Sequence, residues 1–253
     1  MKVDGLAALV TGGAQGLGKA FTEILLKNGA KVLFTDIDEK IGKSTLAQYQ
    51  KLYGQNNVLF IQADVTSQEQ MEESFQLAKT SFGRLDILCN NAGIGGESGD
   101  AWEKSIDINL KGSIRCCRLA MEYMRRDKGG QGGVIVNIAS MGGLKPQPYG
   151  PVYSAGKAGL IMYTRSVAAN PEFLACGVRI STLCPAFADT QLVANVSKGT
   201  CLNTEKALEQ IKAVGVMTVE YVAEGFYELV TDDSKNGAVL TMSKHTGKKY
   251  LEF

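Results

Sequence analysis

Strand-like and helix-like stretches alternate along this 253-residue chain. That alternation predicts an α/β protein: one doubly wound domain, residues 1–253, with a mostly seven-stranded parallel sheet and helices on both faces. Two further observations support it. The strand-like runs, such as Leu6 to Thr11 (LAALVT) and Val134 to Ala139 (VIVNIA), are continuously apolar, as suits strands buried on both faces. No long linker, internal repeat or low-complexity stretch divides the chain.

The elements follow in order. Leu6 to Thr11 is the first strand, and a glycine loop, Thr11 to Gly18, opens a helix with apolar Phe21, Ile24, Leu25 and Leu26. Asn28-Gly29 stops that helix. Lys31 to Asp36 is the second strand, Asp38 to Tyr53 a helix ended by Gly54, and Val58 to Gln62 the third strand. Thr66 and Ser67 can cap the next helix, which runs to Phe82-Gly83. Leu85 to Cys89 is the fourth strand, and a Gly/Ser-rich loop, Ile94 to Asp100, leads into a helix over Trp102 to Arg126. Its stripe is Ile106, Leu110, Ile114, Cys117, Met121 and Met124. Val134 to Ala139 is the fifth strand, Tyr153 to about Cys176 a helix, and Val178 to Cys184 the sixth strand. An irregular, part-helical segment, residues 187–217, reads as a substrate lid. A final helix, Thr218 to Val230, and a strand, Gly237 to Met242, complete the chain.

Composition narrows the function. A formal net charge of +1 offers nothing to nucleic acid. No apolar run approaches the roughly 18 residues of a membrane span, and the N-terminus does not read as a signal peptide. The six cysteines follow no framework spacing, which suggests reduced thiols and a cytoplasmic protein. One histidine and no C-x-x-C leave no case for a metal site.

Two constellations carry chemistry. Gly12, Gly16 and Gly18 lie between a strand and a helix, where the backbone can approach a pyrophosphate and the helix N-terminus offers free N–H groups. Asp36 ends the second strand, where a carboxylate can bond the ribose hydroxyls of a dinucleotide or, alternatively, cap the next helix. A carboxylate repels a 2′-phosphate, and Ile37 rather than arginine follows it, which favours NAD over NADP. Gly13 stands where a basic residue would serve a phosphate, and Lys19 and Lys40 are the cations that could reverse the preference.

The second constellation is Ser140 to Lys157. A serine closes the fifth strand, and Tyr153 and Lys157 stand one turn apart on one helical face. The cation there is expected to lower the tyrosine pKa.

These motifs resemble the short-chain dehydrogenase/reductase family over essentially the whole chain. They are T-G-x-x-x-G-x-G from Thr11, N-N-A-G from Asn90, Asn109, Ser140, Y-x-x-x-K at Tyr153 and Lys157, and C-P-A-F-A-D-T from Cys184. The resemblance implies a Rossmann-type domain that oxidises a secondary alcohol with NAD. It makes Ser140, Tyr153, Lys157 and Asn109 catalytic. Tyr153 is then the base, Ser140 holds the alcohol oxygen, Lys157 binds the nicotinamide ribose, and Asn109 lies on a proton relay.

The cofactor residues it implies are Gly12, Gln15, Gly16, Leu17, Gly18, Asp36, Ile37, Asp64, Val65, Asn91, Ala92, Gly93, Tyr153, Lys157, Phe187 and Thr190, with Asn90 also lining the cleft. Structural roles stand beside several of these: a loop cap for Asp64, a turn for Asn91, a helix cap for Thr190 and backbone bonding for Asn109. Softer matches point to a branch that oxidises prostaglandins. That branch places a substrate-contacting glutamine three residues before its tyrosine, where this chain has Gly150.

The expected substrate is a lipid-like alcohol meeting Ser140, Gly150, Tyr153 and Phe187. The resemblance also implies a homodimer or homotetramer through helices 102–126 and 153–176. An NADP(H)-dependent carbonyl reductase and a catalytically silent nucleotide-binding scaffold are the competing readings.

Overall fold

The computed structural model describes residues 1–97 and 99–252, and for Leu174 the backbone alone. The strands are β1 (Ala7–Thr11), β2 (Lys31–Asp36), β3 (Val58–Gln62), β4 (Ile87–Asn90), β5 (Gly133–Ile138), β6 (Val178–Pro185), β7 (Val239–Ser243) and β8 (Gly247–Tyr250). They form one sheet in the order β3-β2-β1-β4-β5-β6-β7-β8. Seven strands are parallel, as predicted, and β8 adds an antiparallel edge that its polar sequence, Gly-Lys-Lys-Tyr, did not announce. Charged residues suit an edge strand, where one face and one ladder meet water.

The first half of the chain supplies helices α1 (Gly16–Lys27), α2 (Glu39–Tyr53), α3 (Gln68–Phe82), α4 (Ala101–Ile106) and α5 (Ser113–Met124). The second half supplies α6 (Pro151–Ala168), α7 (Pro171–Ala175), α8 (Gln191–Ala194), α9 (Thr204–Val214) and α10 (Val219–Thr231). Two predicted helices are broken. The one expected from Trp102 to Arg126 is α4, a π-helical turn Asp107–Gly112, then α5. The one expected from Tyr153 starts two residues earlier, at Pro151, and ends at Ala168, because Pro171 cannot continue the helical ladder.

Burial follows the parallel-sheet pattern. All five residues of β1 are buried, with Ala8 and Val10 in one core cluster and Leu9 in the other. The first cluster joins the sheet to α1, α2 and α10 through Phe21, Phe34, Tyr49 and Phe226. The second joins it to α3 and α5 through Met71, Phe75, Cys116 and Cys117. A buried polar network links β4, β5, α5 and α6. Asn90 donates to Asn137 Oδ1 at 3.0 Å and to Ser113 O at 2.7 Å, and Asn137 donates to Thr164 Oγ1 at 2.8 Å. All six cysteines are free thiols; five are buried, and burial pushes Cys117 and Cys184 up to about 12.

Parallel strands all end at the same edge, so their C-terminal loops gather there. The chain leaves β1 for β2 and β3 on one side and returns to β4 on the other. That reversal opens a crevice between the loops after β1 and β4. Residues 187–217 rise from the same edge and return to it. A parallel bridge joins Ala188 to Met217, and Met217 N–H donates to Phe187 O at 2.9 Å.

Candidate active site

The glycine loop is shaped by contacts that leave no room for side chains. Gly12 and Gly16 have φ of +62° and +55°, a region that favours glycine. A Cβ on Gly18 would lie 2.0 Å from Gly12 O, and one on Gly13 would lie 2.5 Å from Phe34 Cβ. The Gly13 position is therefore closed to a basic side chain. Lys19 is turned to α2, donating to Gln48 Oε1 at 2.9 Å, and Lys40 is exposed. Gln15 is the N-cap of α1 without a side-chain cap bond, so the first N–H groups of α1 have no capping side chain. Leu17, the second residue of α1, is half-buried.

Asp36 sits at the C-terminal end of β2, 7% exposed. Its Oδ2 accepts from Ala14 N–H at 3.1 Å and its Oδ1 from Asp38 N–H at 3.2 Å. It does not cap α2. Asp38 does that, accepting from Ile41 N–H at 2.9 Å. Ile37 beside it is exposed, 65%.

Asp64 accepts from both Thr66 N–H and Thr66 Oγ1 at 2.8 Å, so one carboxylate oxygen serves its own loop. Val65 is buried against Gly112, and its carbonyl accepts from Arg115 at 2.8 Å. Asn91 braces the glycine loop, donating to Thr11 O at 2.9 Å and Gly12 O at 3.0 Å. Asn90 does not line the cleft. Its side chain is buried in the β4–β5–α5 network, because successive residues of a strand face opposite sides.

Ala92 and Gly93 run along the crevice, and a Cβ on Gly93 would come to 2.7 Å from Asn109 Oδ1 and 3.3 Å from Lys157 Nζ. Thr190 caps α8, accepting from Val193 N–H at 3.5 Å. Its methyl also faces the glycine loop, 3.3 Å from a Cβ placed on Gly16. Phe187 is half-buried at the foot of the 187–217 segment.

Ser140, Tyr153 and Lys157 converge from three directions: the end of β5, the first turn of α6 and its second turn. Ser140 Oγ accepts from Gly142 N–H at 3.0 Å, donates to Pro185 O at 3.5 Å and lies close to the Tyr153 phenol. Lys157 is 3% exposed, donates to Ile138 O at 2.8 Å and lies 5.7 Å from the Tyr153 ring centroid. Asn109 is fully buried in the π-helical turn. Its amide donates to Ile94 O at 2.8 Å and Ser105 Oγ at 3.0 Å, and its Oδ1 accepts from Ile94 N–H at 3.1 Å. The side chain is thus committed to the loop after β4.

The expected fall in the Tyr153 pKa does not appear among the protein's own groups. Burial pushes the phenol up, the nearby Ser140 hydroxyl opposes it, and buried Cys184 adds to the rise. Burial also pulls Lys157 down, from its ordinary 10.5 to about 8. A lysine this readily neutralised is a weak source of positive charge near pH 8.

The shift has a stability consequence. Between pH 8 and 10.5 the unfolded state holds the Lys157 proton and the folded state does not, so stability rises with pH across that window. Relative to Lys157→Met, the wild type should gain about 3 kcal/mol from pH 8 to 10.5 in urea unfolding, and a flat difference would refute the shift.

Sequence reasoning missed Glu97. Its loop reads as Gly/Ser-rich filler, yet the carboxylate reaches the first turn of α6 and accepts from Val152 and Tyr153 N–H. The only sequence signal is an acidic residue in an otherwise small-residue loop.

Fold, glycine cradle and the Ser140–Tyr153–Lys157 cluster together define a class, and the chain belongs to the short-chain dehydrogenase family, whose profile it matches over residues 6–200. Among its relatives, rat 15-hydroxyprostaglandin dehydrogenase [NAD(+)] is 38% identical over 258 residues, covering all of this chain and 96% of that protein. Human 3-hydroxyacyl-CoA dehydrogenase type-2 is 35% identical over 214 residues, 79% of each chain. The crystal structure of levodione reductase superposes with a TM-score of 0.83 at 28% identity, covering 95% of this chain and 96% of that one.

Proposed function

We propose that this dehydrogenase uses NAD to oxidise a secondary alcohol to a ketone, and that its substrate is a hydroxylated lipid of the 15-hydroxyprostaglandin type. The observation that carries the cofactor reading is Asp36: buried, held by two backbone N–H groups, and free of helix-capping duty. A fixed carboxylate there accepts ribose hydroxyls and repels a 2′-phosphate. The closed Gly13 position and the diversion of Lys19 to Gln48 leave exposed Lys40 as the one named cation that could offset it.

Gly12, Gly16 and the first N–H groups of α1 would hold the pyrophosphate. Ile37, Asp64 and Val65 would flank the adenine, and Ala92, Gly93, Phe187 and Thr190 the nicotinamide half, with Asn91 bracing the loop. When bound, NAD supplies the hydride-accepting ring and a positive charge beside the phenol. Tyr153 takes the alcohol proton, and Ser140 fixes the alcohol oxygen within reach of it. Lys157 bonds the nicotinamide ribose, and Asn109 holds the loop against which that lysine packs.

The lipid reading is supported by identity to the prostaglandin enzymes across the whole chain and by the apolar 187–217 segment, proposed as a lid. Leu202, 59% exposed, sits on it, and its N–H donates to Tyr149 O at 2.9 Å beside the cluster. Exposed Trp102 and Met162 lie on the helices proposed to pair in a homodimer or homotetramer. The chain contains no helix long and apolar enough to cross a membrane among its described residues, and we assign it to the cytoplasm.

A substrate screen following nicotinamide absorbance tests the reading, with prostaglandins set against steroids, sugars and hydroxy fatty acids. NAD is expected to be preferred over NADP, by about tenfold or more from one charge repulsion. A preference for NADP would overturn the role of Asp36. Gly150 has φ −147°, which any residue can adopt, and a Cβ there would meet nothing closer than 3.5 Å. Gly150→Gln should therefore fold normally and lower KM for a 15-hydroxyprostaglandin. A raised KM would argue for a different lipid.

A further inference from the structure

The first turn of α6 carries Tyr153, and its own sequence provides no cap. Gly150 at the N-cap has no side chain, and Pro151 has no N–H. Ser154 N–H is bonded to Gly150 O at 2.9 Å. The remaining donors are Val152 and Tyr153 N–H, and a single side chain from another element takes both. Glu97 Oε2 accepts from Val152 at 3.0 Å, and Oε1 from Tyr153 at 2.9 Å. Glu97 is 9% exposed. The glycine before it is tightly packed: a Cβ on Gly96 would lie 3.0 Å from Ala101 O.

We propose that Glu97 is the positioning residue of the catalytic tyrosine: its carboxylate ties the loop after β4 to the first turn of α6 and so fixes Tyr153 against Ser140. The proposal rests on the assignment of Tyr153 as the base. Two consequences follow. The first is geometric. The cofactor loop and the catalytic helix share one clamp, so a shift in either is transmitted to the phenol. The second is electrostatic. Three groups face the phenol: Lys157 on α6, Cys184 at the end of β6 and Ser140 after β5; Glu97 meets the backbone N–H of the same residue. A carboxylate at the positive end of a helix masks that end. Glu97 therefore favours the neutral phenol, and loss of its charge favours phenolate.

Glu97→Gln keeps the shape and one acceptor oxygen but loses the charge and the second acceptor. Tyr153 ionisation can be read without turnover, as the ultraviolet difference titration of wild type minus Tyr153→Phe. In the Glu97→Gln background the Tyr153 midpoint is expected to fall by about half a unit to one unit. With NAD and a 15-hydroxyprostaglandin, kcat is expected to fall about tenfold, as for a small misplacement of a reacting group. Glu97→Asp, charged but shorter, should restore the titration midpoint and not kcat. A scaffold role alone would lower the melting temperature and leave the midpoint where it is. An unchanged midpoint in Glu97→Gln would overturn the proposal. Retained turnover in Tyr153→Phe would instead overturn the base assignment, leaving the titration result of Glu97→Gln intact.

Discussion

Tyr153→Phe is expected to abolish measurable turnover, lowering kcat by ~10³-fold or more, the scale of a lost general base, while NAD affinity is retained. The substitution removes one oxygen and little else. The ring stays, so the packing of Lys157 at 5.7 Å from its centroid is kept. Lys157 keeps its bond to Ile138 O at 2.8 Å, and Ser140 keeps Gly142 N–H at 3.0 Å. The backbone N–H of residue 153 still meets Glu97. What disappears is the phenol oxygen beside Ser140, the group proposed to take the alcohol proton. Steady-state kinetics for kcat and calorimetric titration for NAD separate the two effects. Substantial turnover in the variant would remove Tyr153 from the chemistry.

Gly18→Ala is expected to weaken NAD binding about a hundredfold, the loss of two to three kcal/mol of fit, and to destabilise the fold by about 1–3 kcal/mol through overpacking. A methyl there would lie 2.0 Å from Gly12 O, 2.8 Å from Gly12 C and 2.5 Å from Asn91 Nδ2. Two of these three are backbone atoms of the loop itself and cannot turn aside. The third is the amide that holds Thr11 O and Gly12 O in place. Relief therefore requires the loop to move off α1, which takes Gly12 and the helix N-terminus out of their joint position. Isothermal titration with NAD reads the first effect and urea unfolding the second. Binding within about threefold of wild type would show that the loop does not form the pyrophosphate cradle.

Much of this protein was legible in one dimension. Residues that are near in sequence and obey a period, such as Leu6 to Thr11 or the α5 stripe, announce their element, because strand and helix spacing are local properties. Motifs confined to a few residues were legible for the same reason. The glycine loop needs only its own backbone, and Tyr153 and Lys157 share a helical face by spacing alone. Where a second chain segment decided the outcome, sequence reading stopped short. The family resemblance puts Asn90 in the cleft, but its side chain faces the core, since strand register chooses its side. Sequence alone allows Asp36 either the ribose or the helix cap, and in the fold Asp38 holds the cap.

The sequence by itself determined the alternating fold, the seven parallel strands, the dinucleotide-type loop and the Tyr153–Lys157 pair, because each is written in neighbouring residues; Ser140 joined that pair through the family resemblance. Only the tertiary structure decided the direction of the Tyr153 and Lys157 shifts and the partner of the α6 N-terminus. Burial sums over every element packed around a group, and it raises the phenol and lowers the ammonium. Glu97 meets Tyr153 across an interval of 56 residues, and no local pattern encodes a contact that only the folded sheet edge brings together.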